Sequence, residues 1–246
     1  MHNKKIIAAL TASAYLLAVV PAFAQTPAAG ANFCTNLPNI STKITDNMNA
    51  RGQKITDHQT EVNTKKTDRW TSQDSKLSSK RTSADTNRET KYISLEAKAT
   101  TDEQKAAVAT FESTIDAAVA TRRAAVDAAV KAYRDGVDAA LTAHAGAMSA
   151  AQTAFQSSVN TAIAQAQSDC AADPSNGLSI RTTLQTSIKS AEATFKTARQ
   201  DNKLEGTRQA LAATRKTAIE SAMSTFKTTL DQAKTTLKAA FPPATQ

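Results

Sequence analysis

An eleven-residue unit is repeated six times without interruption between residues 108 and 173. It is clearest in the consecutive strings VATRRAAVDAA and VKAYRDGVDAA. Eleven residues fill three helical turns at 3.67 residues per turn, which is close to the natural period of an α-helix. Positions one, four and eight of the unit therefore lie on one face. The repeat predicts one straight, uninterrupted helix over residues 101–172.

The apolar positions of the repeat define the candidate core of this helix. The repeat-core residues are Val108, Phe111, Ile115, Val119, Val126, Val130, Tyr133, Val137, Leu141, Met148, Phe155, Val159 and Ile163. Alanines beside this stripe allow a neighbouring helix to approach closely. At the start of the helix, Thr100 and Glu103 have the spacing of a capping box. Asp173 and Pro174 indicate its end.

The segments on either side have the composition of two further long helices. The chain of 246 residues contains only six glycines and six prolines and is 4% aromatic, which does not suit the many turns of a β-fold. Sparse apolar stripes predict helices over about 37–99 and 178–241, the latter with a bend or frayed turn near 199–206. Residues 63–90 are so polar that only packing on the central helix would order them. We therefore expect an all-α fold, a long antiparallel three-helix bundle or coiled coil with hendecad repeats.

Two cysteines provide a register for this bundle. The midpoint of Cys34 and Cys170 is residue 102, at the predicted turn between the first two helices. Because both helices rise equally per residue, a hairpin folded there brings the two cysteines side by side. We expect one disulfide within the chain, closing the open end of the hairpin. Unpaired cysteines, or a bridge between two chains, are the alternatives.

The N-terminus has the pattern of a secretory signal peptide. Lys4 and Lys5 precede an apolar run over 6–20, and Ala22-Phe23-Ala24 resembles a cleavage site. We predict a signal peptide over 1–24, a linker over 25–36 and a tail over 242–246. No later apolar run is long enough to predict a transmembrane segment. The expected location is the periplasm or the cell surface.

The net charge of +8 is unevenly distributed. Residues 36–99 carry 12 basic and 8 acidic side chains, residues 101–173 carry 5 and 9, and residues 174–246 carry 11 and 5. The favoured interpretation is that the acidic central helix packs against the two basic ones and partly neutralises them. An outward basic face that binds polyanions is the alternative.

No pattern in the sequence indicates a catalytic, cofactor or metal site. His58 and His144 have no partner at metal-ligand spacing, and His144 occupies a core position of the repeat. Asp116, Asp127 and Asp138 recur every eleven residues, about 16 Å apart along a helix, too far apart to chelate one ion. These carboxylates predict a solvated face or inter-helix salt bridges.

The strings VATRRAAVDAA and KATTDEQKAAVATF carry a family resemblance. The chain resembles exported, Ala/Lys-rich long-helix proteins of bacteria with eleven-residue repeats, a resemblance that covers most of the mature chain and implies no activity. Late-embryogenesis-abundant and apolipoprotein repeats share the period. They carry charged columns where this chain has Val, Ile and Met, which argues against desiccation or lipid-coating roles.

The sequence therefore predicts a non-enzymatic, exported helical protein with a structural or interaction role in the cell envelope. The expected partner is an unidentified protein or envelope component, and self-association is left open. The alternative function is binding of anionic envelope polymers or lipid surfaces through basic faces of the first and third helices. We expect no cofactor and no specific binding of nucleic acid.

Overall fold

The computed structural model describes residues 29–241, and side chains from residue 32 onwards. Four α-helices follow one another: α1 (Ala29–Glu96), α2 (Asp102–Ala172), α3 (Gly177–Asp201) and α4 (Glu205–Ala239), with a short 3₁₀ turn at Pro174–Asn176. These described residues contain no strand, which confirms the all-α helical bundle. The predicted signal peptide over 1–24 and the tail over 242–246 lie outside the described residues.

Helix α1 begins earlier than the sequence predicts. It starts at Ala29 and runs through Pro38, so residues 29–36 of the expected linker are helical. A proline inside a helix removes one backbone hydrogen bond and is normally costly. Phe33 and Leu37 offset that cost, because both are buried on the face of α1 that also carries Cys34.

The capping box at the start of α2 lies one residue later than predicted. The hydroxyl of Thr101, not Thr100, accepts a hydrogen bond from the backbone N–H of Gln104 at 3.2 Å. The side-chain oxygen of Gln104, not that of Glu103, accepts from the backbone N–H of Thr101 at 3.3 Å. Glu103 instead lies in the first turn, where a negative charge interacts favourably with the helix dipole.

The predicted third helix is divided into α3 and α4. The break falls at residues 202–204, inside the range where the apolar stripe changes phase. Because of the break, α3 and α4 can each direct their own apolar stripe towards the helices that they pack against. Between α2 and α3, the carboxylate of Asp173 accepts from the backbone N–H of Ser175 at 3.0 Å and caps the 3₁₀ turn.

The described chain divides into two compact units, of which the first contains residues 29–52 and 151–198. Segments of α1, α2 and α3 supply its core. The fully or largely buried members are Phe33, Leu37, Met48, Val159, Ile163, Ala166, Cys170, Ile180, Leu184 and Ala191. Val159 has no exposed surface at all. Apolar burial on three helical segments is therefore the main stabilising contribution in this unit.

The second unit contains residues 53–150 and 199–241. Its buried cluster is smaller, with Tyr92, Ile115, Val119 and Ala233 at the centre. The polar stretch over 63–90 is helical here. Many of its hydroxyls donate to the backbone carbonyl four residues earlier, as Thr67 does to Asn63 at 3.0 Å. Ion pairs to α2 hold the stretch in place.

Candidate functional site

The Cys34–Cys170 disulfide joins α1 to α2 in the first unit. The two Cα atoms are 5.4 Å apart, and the bridge spans 136 residues of sequence. Cys170 is buried beside Ile163 and Ala166, whereas Cys34 is half-buried. The structure thus confirms the predicted intrachain bridge and the antiparallel register that it implies.

The aspartates of the repeat form ion pairs with α1 in the second unit. Asp116 accepts from Nε of Arg88 at 2.8 Å. Asp127 accepts from both terminal nitrogens of Arg81, at 2.7 and 3.0 Å. Asp138 pairs with Lys66. The row of carboxylates is therefore an inter-helix salt-bridge row, one of the two predicted alternatives.

Two further ion pairs run in the opposite sense, with the arginine on α2 and the carboxylate on α1. Arg134 donates two hydrogen bonds to Asp74, at 2.7 and 2.8 Å. Arg123 donates to both oxygens of Asp85, at 2.6 and 2.9 Å. The midpoint of each of these five pairs between α1 and α2 is residue 102 or 104, so they describe one register.

These contacts shift the pKa values of the α1 carboxylates. Hydrogen bonds from Arg123 and then from Arg88 lower the pKa of Asp85 to about 2. The hydrogen bonds from Arg134 also lower the pKa of Asp74. Both side chains therefore remain ionised through the neutral range and act as fixed partners of the arginines.

A second group of acidic side chains lies near the turn between α1 and α2. Burial, then the charge of Asp116, raises the pKa of Tyr92 to about 12, and its hydroxyl donates to Asp116 at 3.2 Å. Burial and the nearby charges of Glu96 and Glu89 raise the pKa of Glu112. The Oε1 atom of Glu112 is buried without a hydrogen-bond partner. Glu112 is therefore a source of instability when it is ionised.

Arginines also stack on aromatic rings between the helices. The guanidinium of Arg122 lies 4.1 Å from the ring centroid of Phe226, and that of Arg215 lies 4.2 Å from the centroid of Tyr133. Each pair joins α2 to α4, and such contacts are attractive because the ring face is negative. Sequence reasoning missed them. The available signal was that position four carries Phe, Tyr, His or Arg, all flat side chains, in the first five of the six repeat units.

The structure leaves none of the thirteen repeat-core residues exposed. Residues at positions one and eight are mostly buried, as Val108, Ile115 and Val159 are. Residues at position four are half-buried, as Phe111 and Tyr133 are. The repeat face of α2 is thus its packing face in both units.

The two histidines that remain after the predicted cleavage are in different surroundings. Nδ1 of His144 lies 2.7 Å from the backbone carbonyl of Asn202, at the break between α3 and α4. In the tautomer that donates from Nδ1, this contact satisfies a carbonyl at the end of α3. His58 lies on the surface, 4.0 Å from Glu61. Within residues 29–241, no group of three or more His, Cys, Asp or Glu side chains is placed to hold a metal ion.

The first unit contains an apolar cleft between α1, α2 and α3 that sequence reasoning did not predict. Ile44, Met48, Phe155 and Val159 are among its wall residues, and Arg181 also lines it. An eleven-residue pattern shows which face of a helix is buried. It does not show where side chains from three helices leave a gap.

The basic side chains of α4 are distributed differently from those of α1. Lys216, Lys227 and Lys238 are exposed and spaced by eleven residues, so they lie in one line. Over the described part of the chain, no ion pair joins α4 to α2, and Lys216 pairs with Glu220 in its own helix. Among the described residues, the acidic side chains of α2 therefore form ion pairs with basic side chains of α1 but not with those of α4.

Comparison with protein-family models, with curated protein sequences and with solved structures finds no match for this chain. The resemblance to exported Ala/Lys-rich bacterial proteins stays a prediction. Among residues 29–241, none of the helices has both the length and the apolar character needed to cross a membrane.

Proposed function

We propose that this chain is a non-enzymatic exported protein with a structural or interaction role in the cell envelope. The observation that carries this proposal is the Cys34–Cys170 disulfide, which links the chain's two cysteines. Such bridges persist in oxidising compartments such as the periplasm and the cell surface. The predicted signal peptide over 1–24 would deliver the chain there.

The use of the ionisable groups supports a non-catalytic role. Asp74 and Asp127 each accept two charge-assisted hydrogen bonds, and Asp85 accepts three, from arginines that hold α1 against α2. His144 contacts a backbone carbonyl. A catalytic acid or base needs access to a substrate. The oxygens of these carboxylates are instead used in contacts between the two helices.

Export and bridge formation can be tested together in a cell that secretes the protein. We expect the mature chain to begin at Gln25, to fractionate with periplasmic or surface proteins, and to yield a Cys34–Cys170 peptide in a non-reduced digest. A matched Ala24→Arg variant should block cleavage, because it removes the small residue before the predicted cleavage site. An unprocessed, reduced protein in the cytoplasm would contradict the proposal.

A second candidate function is binding of anionic envelope polymers or lipid surfaces. The observation that favours it is the exposed line of Lys216, Lys227 and Lys238 on α4, which has no acidic partner on α2. Lysines on an exposed helix face attract polyanions, and salt weakens that attraction. The binding surface would be part of the predicted third helix.

Co-sedimentation with vesicles that contain anionic phospholipid tests this second candidate. We expect binding that falls as salt is raised and that weakens when Lys216, Lys227 and Lys238 are all changed to Gln. A matched variant with Lys43, Lys54 and Lys65 changed to Gln removes three exposed lysines at the same spacing from α1, where Asp46, Asp57 and Asp68 alternate with them. Equal loss in both variants, or retention without salt dependence, would contradict the assignment to α4.

A further inference from the structure

Two arginines at the contact between α2 and α4 lie over aromatic rings of the facing helix. Arg122 of α2 contacts Phe226, and Arg215 of α4 contacts Tyr133. The second contact lies eleven positions further along α2 and eleven positions back along α4. The two contacts are therefore about 16 Å apart along the helices, because a helix rises about 1.5 Å per residue. These four residues form what we call the α2–α4 seam.

The two guanidinium groups of the seam have no polar partner on the protein. Within residues 32–241, Arg122 forms no ion pair and no hydrogen bond, and the same holds for Arg215. In this part of the chain the five N–H donors of each group therefore have no oxygen acceptor. Both arginines are half-buried, so part of each is in contact with water. Each one can donate hydrogen bonds to an anion from solution.

The surroundings of Arg122 carry an excess of positive charge. Burial lowers its pKa, and so do the charges of three nearby arginines, Arg123, Arg81 and Arg88. Those three are paired with three aspartates, Asp85, Asp116 and Asp127. Four arginines in this group thus share three carboxylates, which leaves one positive charge in excess. A partly buried charge is unfavourable without an opposite charge beside it, so an anion would stabilise Arg122.

Exposed lysines accompany the seam on α4. Lys227 follows Phe226 in sequence, and Lys216 follows Arg215. A lysine acts as a point charge, whereas an arginine can donate two parallel hydrogen bonds to one phosphate. A thin, linear anion can reach both the half-buried arginines and the exposed lysines. A flat membrane surface reaches exposed side chains more easily than half-buried ones, so the seam favours a strand over a surface.

We propose that the α2–α4 seam binds a linear polymer of phosphate groups, with one phosphate at Arg122 and another at Arg215. This inference rests on the second candidate function and specifies its ligand. Two contacts on one strand reinforce each other, because the first holds the second phosphate at a high local concentration. Binding is noncovalent, and salt weakens it.

Titration calorimetry with linear inorganic polyphosphate, at low and at raised salt, tests the proposal. We expect saturable binding that weakens as salt is raised. Arg122→Gln and Arg215→Gln should each weaken binding about tenfold, since each removes a charge-assisted contact. Arg69→Gln removes one exposed arginine from α1 and should leave the affinity unchanged. Tripolyphosphate is too short to reach both arginines and should bind more weakly than the polymer.

Two outcomes would exclude a specific phosphate site. An equal loss in Arg69→Gln would show general attraction between opposite charges. Equal affinity for polyglutamate would show that the seam does not select phosphate over carboxylate. The variants at Arg122 and Arg215 lie on different helices, so one remains informative if circular dichroism shows that the other has not folded.

The same titration separates this inference from the second candidate function. Full binding in both arginine variants, with loss when Lys216, Lys227 and Lys238 are changed to Gln, would exclude the seam and support the lysine line. Salt-dependent association with anionic vesicles, without binding of polyphosphate, would exclude the seam in favour of a lipid surface. Binding of neither probe would overturn both proposals.

Discussion

The carboxylate of Asp127 on α2 accepts two hydrogen bonds from the guanidinium of Arg81 on α1, at 2.7 and 3.0 Å. The two residues are 46 positions apart in sequence. Eleven residues before Asp127, Asp116 pairs with Arg88, and eleven residues after it, Asp138 pairs with Lys66. The same face of α2 thus presents a carboxylate to α1 at a fixed interval, and α1 provides a cation opposite each one.

Reversing the charge of one residue in the Arg81–Asp127 pair should destabilise the protein, and reversing both charges should restore its stability. Asp127→Arg places two like charges together, whereas the double variant Arg81→Asp, Asp127→Arg pairs them again. The pair is partly exposed, so we expect a coupling free energy of about 0.5 kcal/mol, within the range for surface ion pairs. Urea unfolding of the four proteins of the cycle measures it. Additive single effects would show that the pair contributes nothing.

Removing the disulfide should lower the free energy of unfolding far more than removing one ion pair. The bridge closes a loop of 136 residues, for which the chain-entropy model gives about 5 kcal/mol of stabilisation. Cys34→Ser with Cys170→Ser should lower the free energy of unfolding towards that extent. A reducing agent should destabilise the natural chain and leave the double variant unaffected. Equal sensitivity of the two proteins to reduction would contradict the assignment.

Alanine should stabilise α2 at one of its glycines and not at another. A Cβ at Gly146 would meet nothing within 4 Å, so Gly146→Ala should stabilise the helix by about 1 kcal/mol. A Cβ at Gly136 would lie 2.5 Å from Cδ2 of Leu211, so Gly136→Ala must displace that side chain and should lose the gain. The melting temperatures of both variants, compared with that of the natural chain, test this prediction. A similar rise in melting temperature for both would show that α4 can move away from α2 without cost.

Acid should weaken the contact around Asp85. Its pKa is lowered to about 2 by Arg123 and Arg88, below the ordinary value of 3.8. The stabilisation is therefore complete above about pH 4 and is lost as pH falls towards 2. Asp85→Asn should be less stable than the natural chain at pH 7, with the difference shrinking over that window. Urea midpoints between pH 2 and 7 test this, and a difference that stays constant with pH would refute it.

Glu112 should show the opposite dependence on pH. Burial and the neighbouring carboxylates raise its pKa, so folding favours the protonated form and stability falls as pH rises through that value. Glu112→Gln should raise the free energy of unfolding at pH 7 by about 1 kcal/mol, since it removes a buried charge that lacks a partner on Oε1. The gain should vanish in acid. A destabilised Glu112→Gln at neutral pH would show that the ionised form is needed.

Much of the fold was predictable because regular helices translate sequence spacing directly into position. The rise per residue is the same in α1 and α2, so the turn and Cys34 were enough to place Cys170. The interval of eleven likewise placed Asp116 and Asp127 on one face. These predictions depend only on helix geometry.

Local chemistry decided the features that were not predictable. The sparse apolar stripe predicted a first helix from about residue 37, yet α1 begins at Ala29, where Phe33 and Leu37 add buried apolar surface. The capping box shifted by one residue because Gln104 and Glu103 both fit a capping position at neighbouring sites. The apolar cleft depends on side chains from three helices at once.

The shared midpoint of the inter-helix pairs has a consequence for how such a chain can change in length. Each residue of α1 that pairs with α2 lies as many positions before residue 102 or 104 as its partner lies after it. Deleting residues from one helix would shift every pair beyond the deletion out of register. An equal deletion at the facing position of the other helix would restore the register. A block of eleven also returns each helix to the same face. Natural relatives of different length should therefore carry their insertions in facing pairs, so that two separated stretches of one gene lengthen or shorten together.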